Sequence, residues 1–492
     1  MLLTSMLTEL NYTVLQGDAD IDISSIAFDS REVEKNGLFV AINGFKVDGH
    51  QFIAKAVELG AVAVLVEKDI QVEGPVTVLK VDDTREAMAM AAASFYGHPT
   101  NSLDLIGITG TNGKTSTTYF VKSILEAAGR TVGVIGTIGA MIGTQTLKTK
   151  STTPTTPESL HLQHMFADMA GSGVDYCVME VSSHALSLKR AAASRFSAGI
   201  FTNLTPDHLE LHRTMEEYFE AKASLFDLTS RFNVINSDDL FGRRLIERLR
   251  DRDVKLVTYG IDQKSDIMAS DIRYYEDYTT YAVHTPTGSI AIRVNLPGSI
   301  YVYNSLAAVA WAYSHGIAVD HIAAGIRAVE SIRGRLEVVY RDEERKIIVD
   351  FAHTEDSLEK ALSTLRPYTK GRLILVFGVY AAPGHEGSGK RQAMAKVAAD
   401  YSDIAVVTSD NPKDQDPDAI IAEVSAAVEA AGGAYYGIVD RREAIQHAIA
   451  ISRKDDVILI AGKGHETTQV IGKTEVPFNE AEIVNEIMSE RR

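Results

Sequence analysis

At 492 residues the chain is longer than one ordinary core supports and suits about three domains of typical size. With 45% hydrophobic residues, 23% charged residues and only 12 prolines, it has the composition of a folded globular protein and not of a disordered one. Its 66 acidic and 49 basic residues give a net charge of -17, which argues against nucleic-acid or anionic-membrane partners; an anionic ligand needs a local site.

Cys177 is the single cysteine, and its apolar run Val174 to Val181 reads as the setting of a buried thiol in a reducing compartment. No apolar stretch nears the roughly 20 residues that span a bilayer, and the N-terminus lacks a basic flank and small-residue cleavage site. The expectation is a cytoplasmic protein with no membrane insertion.

In chain order, Met1 to Thr100 carries strand-like runs at Ala61 to Val66 and Val76 to Val81 with one helical stretch at Gln51 to Leu59, a small α/β unit. Gly97 to Asn101 has the turn chemistry of a linker. Then strand Leu103 to Thr109, helix Lys114 to Ala128, strand Thr131 to Ile135, helix Pro157 to Ala170 and strand Asp175 to Glu180 alternate, which predicts a mainly parallel sheet. Within Val254 to Val294, the runs Tyr281 to His284 and Ile290 to Val294 suggest an antiparallel accessory sheet on the same domain. From Arg335 onward, strands at Ile347 to Phe351, Leu373 to Phe377, Ile404 to Thr408 and Val457 to Ala461 alternate with helices at Arg391 to Ala399, Pro417 to Ala431 and Arg442 to Ser452. The expected architecture is α/β in three domains, 1-100, 101-334 and 335-492. A central P-loop parallel sheet is flanked by a small N-terminal α/β domain and a C-terminal Rossmann-like domain.

The strongest chemical signal is Gly110-Thr111-Asn112-Gly113-Lys114-Thr115, between an apolar strand and a helix. Glycines let backbone amides close around phosphate oxygens, and the helix N-terminus adds its positive end. Lys114 is expected to bridge the β and γ phosphates of ATP and Thr115 to offer its hydroxyl to Mg²⁺. The longer spacing of the usual P-loop would need glycine where Ile108 stands; the alternative is a structural turn with a surface lysine. Glu180 ends an apolar strand, where an open parallel sheet presents ligand groups, and His208 follows the run Ala198 to Leu204. Taken alone, each is more often a surface carboxylate or an ordinary loop histidine, and Lys222 reads as an exposed helix residue.

The shortened loop resembles that of Mur ligases and of folylpolyglutamate synthetases. The likeness to Mur ligases, of the UDP-N-acetylmuramoyl-tripeptide synthetase type, runs through nearly the whole chain. It includes Asp29-Ser30-Arg31, Asp48-Gly49-His50, Thr152-Thr153-Pro154, Met179 to His184, Asn203 to His208, Tyr218 to Lys222, Gly334-Arg335, Asp350 to Thr354, Asp410-Asn411-Pro412 and Gly462 to Glu466.

That resemblance implies an ADP-forming ligase that joins an amino acid to UDP-N-acetylmuramoyl-L-Ala-D-Glu through an acyl phosphate, in peptidoglycan precursor synthesis. It implies Mg²⁺ held by Thr115, Glu180, His208 and a CO₂-derived carbamate on Lys222, with Lys114, Glu180, His208 and Lys222 as the catalytic set. Asn304, Arg335, Asp350 and His353 would join Gly110 to Thr115 around ATP. Ser30, His50, Thr153, Thr156, Ser182 and Arg190 would hold the UDP-linked precursor, and Asp410, Asn411, Lys413, Gly462 and Glu466 the acceptor. For Asn304 and Arg335 the plain alternatives are a capping asparagine and a surface arginine. The chain is expected to act as a monomer, with closure hinges near Asn101 and Arg333 to Arg335.

Two departures bear on the acceptor. After Leu373 to Phe377 the family has a loop containing Gly-Asp-Arg-Asp, whose arginine anchors the amino acid's carboxylate; here Gly378 to Arg391 lacks it, leaving His385, Lys390 or Arg391 as substitutes. Lys413 stands where diaminopimelate-adding enzymes have arginine, a point charge in place of a fork. meso-Diaminopimelate is slightly favoured over L-lysine. The alternatives are a non-standard acceptor, a folylpolyglutamate-synthetase-like ligase, disfavoured by the section before the loop, and a non-catalytic nucleotide-binding partner.

Overall fold

The computed structural model describes residues 1–44, 47–147, 155–379 and 384–491. It comprises two compact units: Met1–Gly110, Leu125–Thr202 and Glu216–Thr258 form one, and Thr111–Ile124, Asn203–Met215 and Tyr259–Arg492 the other.

In the first unit five strands lie in the order Thr13–Gln16, Thr77–Lys80, Ala61–Val66, Gly37–Val40, Ser25–Ala27, with only Thr13–Gln16 antiparallel to its neighbour. Alternate side chains serve two faces. Ala63 and Leu65 join Leu38, Val40 and Leu79 in one apolar cluster, whereas Val64 and Val66 join Phe39 and Val78 in another. Burial on both faces is why these strands read as continuous apolar runs.

Met88, Ala91 and Ala92 of helix Thr84–Phe95 close the first cluster, so the expectation of one helix in this section is corrected. Small alanines bury without making a stripe of large apolar residues, and the signal that remained was the Asp83 cap, which accepts from Arg85 and Glu86 amides. The expected helix at 51–59 contracts to Ile53–Glu58 behind a 3-10 turn at Gly49–Phe52.

The other sheet of this unit runs Thr229–Asn236, Phe196–Phe201, Asp104–Thr109, Tyr176–Glu180, Val132–Gly136, all parallel, and continues with antiparallel Gly139–Ile142 and Gln145–Thr146. Asp104–Thr109 lies between two parallel neighbours, so its carboxyl end delivers Gly110 beside the end of the strand that carries Glu180.

The second unit contains the antiparallel strands Ile267–Tyr274, Thr279–Thr285 and Gly288–Val294, as their alternation predicts. It also holds a six-stranded sheet ordered Glu337–Arg341, Arg345–Asp350, Asp456–Ala461, Leu373–Phe377, Ile404–Val407, Tyr435–Gly437, antiparallel only at Glu337–Arg341. Ile347, Val349, Ile374, Val376, Ile458 and Ile460 pack with Ile445 and Ala448 of helix Arg441–Ile451 and with Val484 and Ile487 of helix Glu480–Glu490. Among the described residues, no helix is long and apolar enough to cross a membrane.

Candidate functional site

In the first unit the site begins at the carboxyl ends of parallel strands. Glu180 is almost fully buried; its Oε1 accepts from the Thr137 amide at 3.0 Å and its Oε2 from the Thr137 hydroxyl at 2.9 Å. Gly136 makes room for it, because a Cβ there would lie far inside van der Waals contact of Glu180 Oε1.

Lys222 is buried to 1% exposure, which corrects its plain reading as an exposed helix residue. Helix Met215–Ala223 turns Glu216 and Glu220 outward to Arg244 and Arg248, and buries Tyr218, Phe219 and Lys222 on its other side. The Lys222 ammonium donates to the Gly110 carbonyl at 2.8 Å and lies 4.6 Å from the Tyr218 ring centroid.

Thr156, Ser182 and Arg190 form a second cluster in this unit. The Thr156 hydroxyl donates to the Glu180 carbonyl at 2.9 Å and accepts from the Ser182 amide at 3.1 Å, while Ser182 caps the short helix Ser183–Ser187. Arg190 donates to the Thr156 carbonyl and pairs with Glu158 at 2.8 Å; burial holds its guanidinium below its ordinary value despite that partner. Thr153 lies outside the described residues.

His50 is braced at both nitrogens: Nε2 accepts from the Glu67 amide, so Nδ1 carries the proton it shares with Asp48 at 2.6 Å. Ser30 opens a 3-10 turn capped by Asp29.

In the second unit the phosphate loop is pinned by Asn203. Its carbonyl accepts from the Thr111 amide at 2.9 Å, its side-chain oxygen from the Asn112 amide at 3.0 Å, and its side-chain nitrogen donates to the Asn112 carbonyl. Lys114 donates to the Thr111 carbonyl at 2.9 Å. Gly113 has φ 89, and a Cβ there would collide with Asn304. Asn304 is buried in the body of helix Ser299–Ser314 and is therefore no cap. Arg335 is half-buried, donates to the Thr115 hydroxyl at 3.0 Å and stacks over the Phe351 ring.

Asp350 accepts from the Leu336 and Ala352 amides, yet burial pushes its carboxyl up to about 6 against the pull of Arg335. His353 Nδ1 lies 2.7 Å from the Phe351 carbonyl, which can only accept, so Nδ1 carries the proton; burial, with Lys390 beside it, brings the imidazole down to about 4. Asp207 is a hub that residue-by-residue choice missed. His208 lies 3.4 Å, Lys390 3.4 Å and His353 4.0 Å from its carboxylate, and although burial pushes it up, the attraction of these neighbours holds it well below the usual range. Its place in Asn203 to His208, directly after a strand, was the available signal.

The residues expected to receive the acceptor lie at and beyond the carboxyl ends of the six-stranded sheet. Asn411 Oδ1 accepts from Lys463 at 3.1 Å and from the Val470 amide at 2.9 Å, and Lys463 pairs with Glu466 at 2.7 Å. Asp410 is buried against Gly462. Lys413 is exposed at φ 52. Of the altered loop, Tyr380 to Pro383 lie outside the described residues, as does the His385 side chain. Lys390 instead reaches Asp207, and Arg391 pairs with Glu423 at 2.7 Å.

Three family models match the chain: Mur ligase family, catalytic domain, over residues 22–96; Mur ligase middle domain over 108–312; and Mur ligase, glutamate ligase domain, over 334–464. The chain is 42% identical over 489 residues to the UDP-N-acetylmuramoyl-L-alanyl-D-glutamate--2,6-diaminopimelate ligase of Clostridioides difficile, covering 99% of this chain and 100% of that one. It is 43% identical over 499 residues to the ligase of the same name from Bacillus velezensis, with 100% and 99% covered. A solved structure of a ligase so named superposes with a TM-score of 0.66 at 29% identity, covering 95% of each chain.

Proposed function

The chain belongs to the Mur ligase family, and from that premise we propose that it joins meso-diaminopimelate to UDP-N-acetylmuramoyl-L-Ala-D-Glu with cleavage of ATP to ADP and phosphate. The observation that carries this reading is the match, at 42% identity over essentially full length, to a ligase named for that acceptor. Lys413 agrees with it, since a second carboxylate on the acceptor is met by a cation.

The phosphate loop, with Lys114 and the helix behind it, binds the triphosphate. The precursor's terminal carboxylate takes the γ-phosphoryl group, and the acceptor's amino group then attacks the acyl phosphate, releasing phosphate as the amide forms. Positioning and neutralisation of charge supply the acceleration, with Lys114 and Arg335 as the cations of the loop. Ser30, His50, Thr153, Thr156, Ser182 and Arg190 hold the precursor; Asp410, Asn411, Lys413, Gly462 and Glu466 receive the acceptor.

Among the described residues no three His, Cys, Asp or Glu side chains form a ready metal cage. A nucleotide-borne Mg²⁺ uses few protein oxygens besides phosphate and water. Thr115, Glu180 and His208 would hold it, and when bound it neutralises developing charge on phosphate oxygens. Lys222 fits a carbamate: its nitrogen is shielded from solvent, and a carbamate keeps one N–H to donate to the Gly110 carbonyl while adding an anionic oxygen. The protein works as a monomer in the cytoplasm on this reading.

The test is release of ADP from ATP and Mg²⁺ with either substrate omitted. Turnover that requires both the muramoyl dipeptide and the amino acid supports the ligase; turnover indifferent to the dipeptide sinks it.

A further inference from the structure

Three of the parallel strands in the six-stranded sheet end side by side, and their loops touch. A Cβ at Gly378 would lie 2.6 Å from the Thr408 carbonyl oxygen and 2.7 Å from the Asp410 amide nitrogen; one at Gly462 would lie 2.8 Å from Asp410 Oδ2. Strands Ile404–Val407 and Asp456–Ala461 do not pair with each other, because Leu373–Phe377 lies between them. The ladders to Leu373–Phe377 set the spacing of the two strands; the loops that leave them lie beyond those ladders and are tied by side chains, Lys463 to Asn411 among them.

Arg441 spans that gap. It opens helix Arg441–Ile451, its side chain has 0% exposure, and it donates to the Ser409 carbonyl at 3.2 Å and the Ala461 carbonyl at 2.8 Å. Its charge is met by Glu480, also at 0% exposure, 2.7 Å away at the start of helix Glu480–Glu490. Among the described residues the second Glu480 oxygen has no hydrogen-bond partner, and burial pushes the carboxyl up against the pull of Arg441. Two charges withdrawn from water at this cost are poor stability devices by themselves, but a planar guanidinium holds two carbonyls at a fixed distance as no apolar pair could.

Ser409 and Ala461 immediately precede Asp410-Asn411 and Gly462 to Glu466, the residues assigned above to the acceptor. We propose that Arg441, oriented by Glu480, is a positioning residue that sets the spacing of these two loops and thereby the affinity for the incoming amino acid. This rests on the acceptor assignment.

The test is steady-state kinetics of full-length Arg441→Lys and Glu480→Gln with each of the three substrates varied in turn, beside thermal unfolding. Lysine keeps the charge but cannot fork to two carbonyls, so the KM for the acceptor should rise about tenfold while the KM values for ATP and the muramoyl dipeptide stay within about twofold. Glu480→Gln should give a smaller rise of the same kind, and it decides the matter if the lysine variant fails to fold. Equal changes in all three KM values, or none in a folded variant, would overturn the brace. The acceptor used is whichever amino acid the unaltered protein ligates. A different acceptor would therefore correct the reading of substrate without touching the brace.

Discussion

The ammonium of Lys222 lies 2.8 Å from the carbonyl of Gly110, where the strand Asp104–Thr109 gives way to the phosphate loop. A lysine is seldom buried to 1% exposure without a task, and its position at the mouth of a nucleotide loop suits a group whose chemistry is directed at phosphate.

If Lys222 carries the proposed carbamate, Lys222→Ala should lose ligation by on the order of a hundredfold or more, with partial return on adding a short carboxylic acid that would take the carbamate's place. Phosphate release measured with and without the acid checks both parts. Full activity in the variant would reduce Lys222 to a packing residue.

Gly136 should tolerate no side chain, because the space a Cβ would take belongs to the Glu180 carboxylate. Gly136→Ala is expected to cost about 1–3 kcal/mol of stability and, by displacing that carboxylate, to slow ligation by on the order of a hundredfold. Gly171→Ala, at the end of helix Ser159–Gly171 with open space around it, is the control and should leave both unchanged. Similar behaviour of the two variants would refute the steric argument.

His465 gives a pH dependence of stability. Burial, with Arg335 and Arg333 near, lowers it from 6.5 to about 3, so the folded protein keeps it neutral while the unfolded chain protonates it. Its contribution is fully present above pH 6.5 and is lost progressively as pH falls from there toward about 3. Asp350, raised from 3.8 to about 6, acts in the opposite sense, stabilising the fold as pH falls from about 6 toward 3.8. His465→Gln should then lose less Tm between about pH 7 and pH 5 than the unaltered protein. Equal losses would show that His465 does not titrate with folding.

Lys413 stands at φ 52, with its amide donating to the Val470 carbonyl at 3.2 Å and its carbonyl accepting from Gly472 at 2.8 Å. This backbone anchoring fixes where its cation starts. Lys413→Ala should raise the KM for meso-diaminopimelate about two- to fivefold, the worth of an exposed charge pair, and change that for L-lysine far less. Equal effects on both amino acids would remove Lys413 from acceptor choice.

What the sequence made legible follows from the physics of each element. Ala61–Val66, Leu373–Phe377 and the strand before Gly110 are buried on both faces, so apolar runs alone marked them, and the strand-loop-helix order marked Lys114. Thr84–Phe95 escaped notice because alanines leave no stripe. Lys222 looked exposed because its helix carries glutamates on the other side, and the burial that sets it apart is tertiary. Beyond its neighbour His208, Asp207 owes its role to Lys390, 183 positions away, and to His353, and Arg441 owes its role to partners such as Ala461, 20 positions away, which no local pattern announces.

The bond that this protein makes is read from its product. Incubation with ATP, Mg²⁺, UDP-N-acetylmuramoyl-L-Ala-D-Glu and an equimolar mixture of meso-diaminopimelate and L-lysine, followed by mass measurement of the nucleotide-linked product, tests it directly. One dominant product is expected, heavier than the precursor by a diaminopimelate residue and formed with one ADP per bond. A product carrying lysine, or ADP formed with no amino acid joined, would contradict it.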